Sequence, residues 1–192
     1  MFFGSTTERV LRETHVPVLI TPASRTEAPT LSELAGQIHE VIAPVDLTTF
    51  SARQLKVAAA IADATRVPLA ITHVLKTEVA ALGNRWAVPE LDRSPIERAR
   101  AELSTLQASV TPRVLTESLV LSGEPSEEIV KLAASRQANL IVMGLHSSGL
   151  LGPRMGSVTY RVLSTTEAFV LALPPHTVVP VSQPVVRQRA MA

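Results

Sequence analysis

The residues best suited to chemistry lie in a glycine-rich segment, GLHSSGLLGPRMGS, which runs from Gly144 to Ser157. It follows a short apolar run, LIVM, and leads into a predicted helix that begins at Gly156-Ser157. Glycines let backbone amides approach an anion, and a helix N-terminus adds unpaired N–H donors and partial positive charge. The Ser157 hydroxyl could also reach a phosphate oxygen or a metal. The segment therefore predicts a site for an anion such as phosphate.

Asp46 is the acidic residue expected near this segment, because it ends the apolar run VIAPVD. In an open parallel sheet, ligands bind at the carboxyl ends of the strands, so Asp46 and Gly144 share one crevice if their strands are neighbours. An acid after a strand also caps the next helix or holds a turn. Ligand contact and capping are both open for Asp46.

Two common phosphate-binding motifs are excluded. The segment from Gly144 to Ser157 has no lysine and lacks G-x-x-x-x-G-K-[ST], so it is not a Walker P-loop. It also follows a late strand, whereas the dinucleotide fingerprint follows the first one.

No catalytic residue is predicted. Ser157 has no G-x-S-x-G elbow around it, and Asp46 has no second carboxylate to form an acid–base pair. His73 and His146 lie near strand ends that could face one crevice, but no third ligand has suitable spacing, so no metal site is predicted. Because Ser157 lacks a nucleophile elbow, an enzyme in which Ser157 is the nucleophile and His146 the base is the less favoured hypothesis.

Composition excludes several classes of protein. The chain has 192 residues, of which 46% are hydrophobic and 18% charged, so it can bury a core. A net charge of +1 and an aromatic content of 3% argue against a nucleic-acid or membrane partner. Without cysteine, a disulfide scaffold and a thiolate metal site are excluded. No run is long enough for a membrane span, and we expect a cytoplasmic protein.

Apolar runs alternate with helical patterns along most of the chain. The predicted strands are residues 41–46, 68–75, 114–121, 140–143 and 169–173. Helices of 10–15 residues between strands imply right-handed crossovers and a parallel, doubly wound α/β sheet. Thr49 or Ser51 is predicted to cap the helix that follows the first of these strands.

An internal repeat divides the chain. Residues 4–22 (GSTTERVLRETHVPVLITP) match residues 156–174 (GSVTYRVLSTTEAFVLALP) at ten of nineteen positions, without a gap. Each copy reads as a helix followed by a short strand that ends at proline. We therefore predict an incomplete first repeat over 1–22, a linker with a helical turn over 23–38, a complete domain over 39–174, and a flexible tail over 175–192.

Five segments in order resemble the universal stress protein (UspA) family: VIAPVD, ITHVL, GEPSEEIVKLA, ANLIVMGLH and GSVTYRVL. The resemblance spans residues 40–174, and residues 4–22 resemble the last helix and strand of a second copy. It implies a five-stranded parallel sheet in the order 3-2-1-4-5, of the adenine nucleotide α-hydrolase-like type. It also implies tandem domains or dimers paired through the last strand, and a non-catalytic role in the stress response.

One branch of that family binds ATP through G-x2-G-x9-G-[ST], an acid after the first strand, and backbone at the end of the second. The nucleotide-binding residues carried over are Asp46, Val74, Met143, Gly144, His146, Gly156 and Ser157. The chain departs from the motif, because Ser147 replaces the second glycine and Gly144 to Gly156 is one residue short. Pro153 also removes a donor.

ATP, with Mg²⁺ if bound, is the implied cofactor; slow ATP hydrolysis at the same loop is a further alternative. The other reading is a degenerate domain that acts by dimerisation or protein interaction.

The half-repeat needs a docking surface, because an isolated helix and strand cannot bury their apolar faces. We expect the strand Val16–Ile20 to pair with Val170–Ala172, inside one chain or between two. Self-association through the last strand, Phe169–Leu173, is the predicted partner interaction. A start codon assigned too late in a longer tandem protein is the alternative explanation of the half-repeat.

Overall fold

The structure is a computed structural model, which describes residues 5–22, 24–25, 27, 29–76, 93–110, 112–145 and 156–174. Strands and helices alternate along these ranges. In chain order they are α1 (Ser5–Glu13), β1 (Val18–Ile20), α2 (Leu31–Gln37), β2 (Val41–Pro44), α3 (Ser51–Thr65), β3 (Leu69–Lys76), α4 (Arg93–Ala108), β4 (Thr116–Gly123), α5 (Pro125–Ser135), β5 (Leu140–Gly144), α6 (Ser157–Thr165) and β6 (Phe169–Leu173). The predicted tail over 175–192 lies outside the described residues.

The strands form one sheet in the order β1-β6-β5-β2-β3-β4. All neighbouring pairs from β2 to β6 are parallel, and β1 alone runs antiparallel to its neighbour. Counted within the domain that begins at β2, the parallel strands have the order 3-2-1-4-5, so the predicted fold is confirmed. The sixth strand, β1, adds to that sheet at its β6 edge.

Helices cover both faces of the sheet, and each face has its own core. Leu69 and Ile71 of β3 belong to a cluster with Leu55 of α3 and Leu103 of α4. The alternate residues of β3 belong to a second cluster, with Ile129 of α5 and with α6. All four residues of β2 are buried, as expected of a central parallel strand covered on both faces.

A helix of seven residues, α2, lies within the predicted linker, and it is longer than the helical turn expected there. The reason is local: Thr30 and Glu33 form a capping box, in which each side chain bonds the backbone of the other. Hydrogen bonds from the backbone amide and the hydroxyl of Thr30 lower the pKa of Glu33. Leu34 and Ile38 are buried in the core, which anchors the helix.

The N-terminal segment docks on the domain within the same chain. Three residue pairs join β1 to β6, with Leu19 opposite Leu171. Leu11 of α1 is buried in the cluster that contains α6. This is pairing inside one chain, and pairing between two chains stays a prediction. None of the helices in the described ranges has the length and apolar character that a bilayer span requires.

Candidate functional site

A cavity of about 480 Å³ opens toward the carboxyl ends of β2, β3 and β5, beside the first turns of α5 and α6. This is the point where the chain passes from one half of the sheet to the other, and open parallel sheets bind ligands there. The lining residues are Pro44, Val45, Asp46, Gln54, Thr72, His73, Val74, Pro125, Ile129, Gly144, Gly156, Ser157, Val158 and Thr159.

The cavity exists because the β2–β5 ladder stops early. The Val41 amide donates to the carbonyl of Pro68, just before β3, and the Val45 amide donates to Thr72 of β3, so residue 44 is the one that faces β5. Pro44 has no amide N–H to donate. The recorded pairing of β2 with β5 accordingly ends at Ile42–Ile141, and the two strands separate beyond that point.

Gln54 of α3 fills the gap between the separated strands. Its Nε2 donates to the Pro44 carbonyl at 2.6 Å and to the Val142 carbonyl at 2.9 Å. Gln54 is almost completely buried, yet it lines the cavity. Sequence reasoning missed this residue; the available signal was a glutamine beside Leu55 on the apolar face of a predicted helix.

The structure shows the turn-holding role of Asp46, and ligand contact stays a prediction. Its Oδ1 accepts hydrogen bonds from the Thr48 amide (3.0 Å), the Thr48 hydroxyl (2.7 Å) and the Ser51 hydroxyl (2.9 Å). These bonds hold the turn before α3, and Asp46 also lines the cavity. Neither predicted cap residue, Thr49 or Ser51, caps the helix, because its N-cap position is Phe50 and Ser51 instead donates to Asp46.

The first turn of α6 supplies the positive end of a helix dipole. Gly156 is its N-cap, no side chain caps it, and its first turn has no acidic residue. The neighbouring α5 differs, because Glu127 and Glu128 occupy its first turn. Among the helix N-termini at the cavity, α6 is therefore the better anion site.

The structure brings together five of the seven residues singled out from the sequence: Asp46, Val74, Gly144, Gly156 and Ser157. Met143 is buried in the core under α5 and α6 and does not line the cavity. His146, Ser147 and Pro153 lie outside the described residues, so the path of the glycine-rich loop is not part of the description.

Three further lining residues carry polar groups that sequence reasoning did not assign to binding. His73 donates from Nδ1 to the Val45 carbonyl at 2.8 Å, which places its proton on that nitrogen. Thr159 donates to the Gly144 carbonyl at 3.3 Å and so joins α6 to β5. Thr72 is buried in β3 at the cavity. Across the described ranges, no group of three or more His, Cys, Asp or Glu side chains could hold a metal ion.

The match to known proteins decides the family. Residues 37–174 match the Universal stress protein family. The chain belongs to the universal stress protein family. Universal stress protein A homolog 1 of Coxiella burnetii is 28% identical over 137 residues, which cover 69% of this chain and 94% of that protein. The family match begins near the end of α2, so α1 and β1 lie outside it.

Solved universal stress proteins share the fold. One in complex with cAMP has 23% identity and a TM-score of 0.53, and the match covers 72% of this chain and 98% of that chain. One from Archaeoglobus fulgidus has 20% identity and a TM-score of 0.58. That match covers 88% of this chain but only 53% of the longer chain. The structural likeness therefore covers more of this chain than the family match does.

Proposed function

We propose that this universal stress protein domain is a non-catalytic module that binds an adenine nucleotide in the cavity at the β2–β5 separation. The observation that carries the proposal is the convergence of Asp46, Val74, Gly144, Gly156 and Ser157 on that cavity. These residues come from four separate parts of the sheet and its connections. A cavity of about 480 Å³ is in the size range of small-molecule sites.

The two ends of the cavity suit different parts of a nucleotide. The N-terminus of α6, with the Ser157 hydroxyl, suits a phosphate. Asp46 is a hydrogen-bond acceptor, and it suits a hydroxyl group of the sugar. A relative with this fold has been solved with cAMP, which supports an adenine nucleotide as the ligand class. The part of the chain that is described contains no cluster of metal-binding side chains, so Mg²⁺ would be held mainly by the phosphates of ATP.

Isothermal titration of the full chain with ATP, AMP and cAMP tests this function. Gly156→Val should weaken binding of the preferred nucleotide at least about tenfold, because an isopropyl group enters the wall of the cavity. The backbone at Gly156 has φ −60° and ψ 148°, which other residues adopt readily. The substitution therefore tests the space at the site and adds no backbone strain.

Gly36→Val is the matched control. Gly36 lies in α2, away from the cavity, and a Cβ atom added there meets nothing within 4 Å. This variant should bind nucleotide like the wild type. Equal titration curves for the wild type and Gly156→Val would reject the site, and no heat with any of the three nucleotides would reject the function.

A protein-interaction role is the second candidate. The observation that bears on it is the pairing of β1 with β6, because it covers the sheet edge through which members of this family are expected to pair and makes that edge accessible only when β1 leaves it. In that case the cavity is degenerate, and the docked N-terminal segment controls whether a second copy can reach β6.

A further inference from the structure

The longer free edge of the sheet belongs to β4. In the described part of the chain, β4 has a neighbouring strand on one side only, and it runs for eight residues. The other edge strand, β1, has three residues. A long edge strand presents a row of backbone groups that can pair with another chain. Charged side chains or prolines protect many such edges, but residues 118–123 of β4 include neither.

The pairing of β4 with β3 shows which backbone groups remain for a partner. The Leu69 amide donates to the Leu115 carbonyl, so Leu115 and the odd-numbered residues that follow it in β4 direct their backbone groups to β3. The even-numbered residues direct their amides and carbonyls away from the sheet. Ser118, Val120 and Ser122 are therefore the residues to which an antiparallel partner strand can bond.

Apolar side chains accompany this edge on the face that α5 covers. Leu121 lies opposite Val74, which packs in the cluster under α5 and α6, so Leu119 and Leu121 point to that face. Both are partly exposed, and neither belongs to a core cluster of the described residues. Leu115, on the same face, is 77% exposed. A strand added at this edge would bury these leucines further.

We infer that β4 is the surface through which two copies of this chain form a weak dimer, with their β4 strands antiparallel about a two-fold axis. Val120 lies on the axis, and Leu119 of each copy lies opposite Leu121 of the other. In this register the outward-facing Val120 pairs with its counterpart, and Ser118 pairs with Ser122, through backbone hydrogen bonds. The leucines occupy the non-hydrogen-bonded positions, where side chains are closest, so the four of them form one apolar cluster.

The position of Glu117 favours this register over its neighbour. Glu117 lies opposite Gly123 of the second copy, where no side chain meets it. A shift of two residues would place it opposite Leu121 and bring its charge into the leucine cluster. Glu117 already has a partner in its own chain, because Arg136 lies 2.6 Å from its carboxylate.

Charge complementarity favours a second copy of this chain as the partner. The exposed Arg113 lies just before β4, and the exposed Glu127 lies in the first turn of α5, just after it. Antiparallel pairing brings the start of one β4 to the end of the other, so Arg113 of each copy approaches Glu127 of the other. Opposite charges then meet at both ends of the paired strands. Two edge strands bury a small area, so the dimer belongs to the weak, concentration-dependent class.

Sedimentation velocity of the full chain over about a hundredfold range of concentration tests the inference, because a weak dimer forms as the concentration rises. Leu119→Lys and Leu121→Glu should each raise the dimer Kd at least about tenfold, since each places two charges in the leucine cluster. An equimolar mixture of the two variants should dimerise again. In the mixed dimer the new lysine lies opposite the new glutamate, and the two unchanged leucines lie opposite each other.

Two further variants separate edge pairing from folding and from other interfaces. Ser122→Pro removes an amide that points away from β3, so it should raise the dimer Kd without the loss of a hydrogen bond inside the chain. Ser122 is exposed, and this variant supplies the test if a leucine variant does not fold. Val16→Lys changes a residue that is 64% exposed, beside β1 at the opposite edge of the sheet, and should leave the dimer Kd unchanged.

The possible results are distinct. A wild type that stays monomeric at every concentration would overturn the inference, and so would single variants that dimerise like the wild type. A mixture that does not dimerise would refute the pairing of Leu119 with Leu121. Loss of the dimer in Val16→Lys would place the interface at the β1 edge and would also contradict the inference. The nucleotide function is independent of these results, because no residue of β4 lines the cavity.

Discussion

At the scale of single residues, the cavity depends on one proline and the glutamine that compensates for it. Pro44 cannot donate to β5, and the strands separate after Ile42. Gln54 then satisfies the carbonyl groups of Pro44 and Val142 with one side-chain amide. The site is thus a break in the sheet whose backbone groups are hydrogen-bonded by a side chain from α3.

Replacing Gln54 with alanine should lower the free energy of unfolding by about 2–3 kcal/mol, because two carbonyl groups lose their donor and the filled gap becomes empty. Urea denaturation measures this change. Lys56→Ala, in the same helix but exposed, should stay within about 0.5 kcal/mol of the wild type. Similar losses in the two variants would contradict the role given to Gln54.

At the scale of elements, the turn from β4 into α5 needs a glycine. Gly123 has φ +150°, a conformation that side chains rarely adopt. A Cβ atom there would lie 2.8 Å from Glu128 Cγ. Glu128 also pairs with Lys131 at 2.8 Å, which limits how far its side chain can move away. The position of α5, which forms one wall of the cavity, therefore depends on Gly123.

Gly123→Ala should cost about 1–3 kcal/mol of stability, through backbone strain and the contact with Glu128. Thermal and urea unfolding measure the loss. Gly36→Ala is the opposite case, because Gly36 lies inside α2 with open space around it. This substitution should leave the stability unchanged or raise it by up to about 1 kcal/mol. A neutral Gly123→Ala would show that the turn tolerates a side chain.

At the scale of the whole molecule, the two copies of the repeat meet around an approximate two-fold axis. Leu19 pairs with Leu171, which is the residue equivalent to it in the repeat. The equivalence breaks down on the helices: Val162 of α6 is fully buried, whereas the matching Val10 of α1 is 47% exposed. Val162 packs on the parallel sheet of its own domain, and the described chain provides no such sheet for Val10.

Leu11→Ala should weaken the docking of the N-terminal segment, because Leu11 is buried with α6. We expect a loss of about 2–4 kcal/mol and a shift toward dimers in size-exclusion chromatography with light scattering, since the β6 edge becomes accessible. Val10→Ala is the exposed control and should change neither property. If Leu11→Ala remained stable and its size distribution did not change, docking would not control access to β6, and the interaction role would lose its support.

Much of the fold could be predicted from local patterns. The spacing of apolar residues in strands and helices, the acidic residues in the first turn of α5 and the internal repeat can all be recognised in the sequence. The repeat also indicated β6 as the partner of the first strand, whereas the antiparallel direction and the bounds Val18–Ile20 come from the structure. The length of α2 was underestimated, although Thr30 and Glu33 have the spacing of a capping box. Gln54 could not be assigned to the site, since a glutamine in a helix has no local signature of binding.

The sequence by itself determined the alternation of strands and helices, the family and five of the residues that line the cavity. These depend on periodicity and on short motifs, which act over a few residues. Only the tertiary structure decided that Pro44 opens the sheet and that Gln54 closes the resulting gap. Those facts depend on which groups from distant parts of the chain meet in the folded protein, and hydrogen bonds across 88 residues, such as that from Gln54 to Val142, have no local sequence pattern.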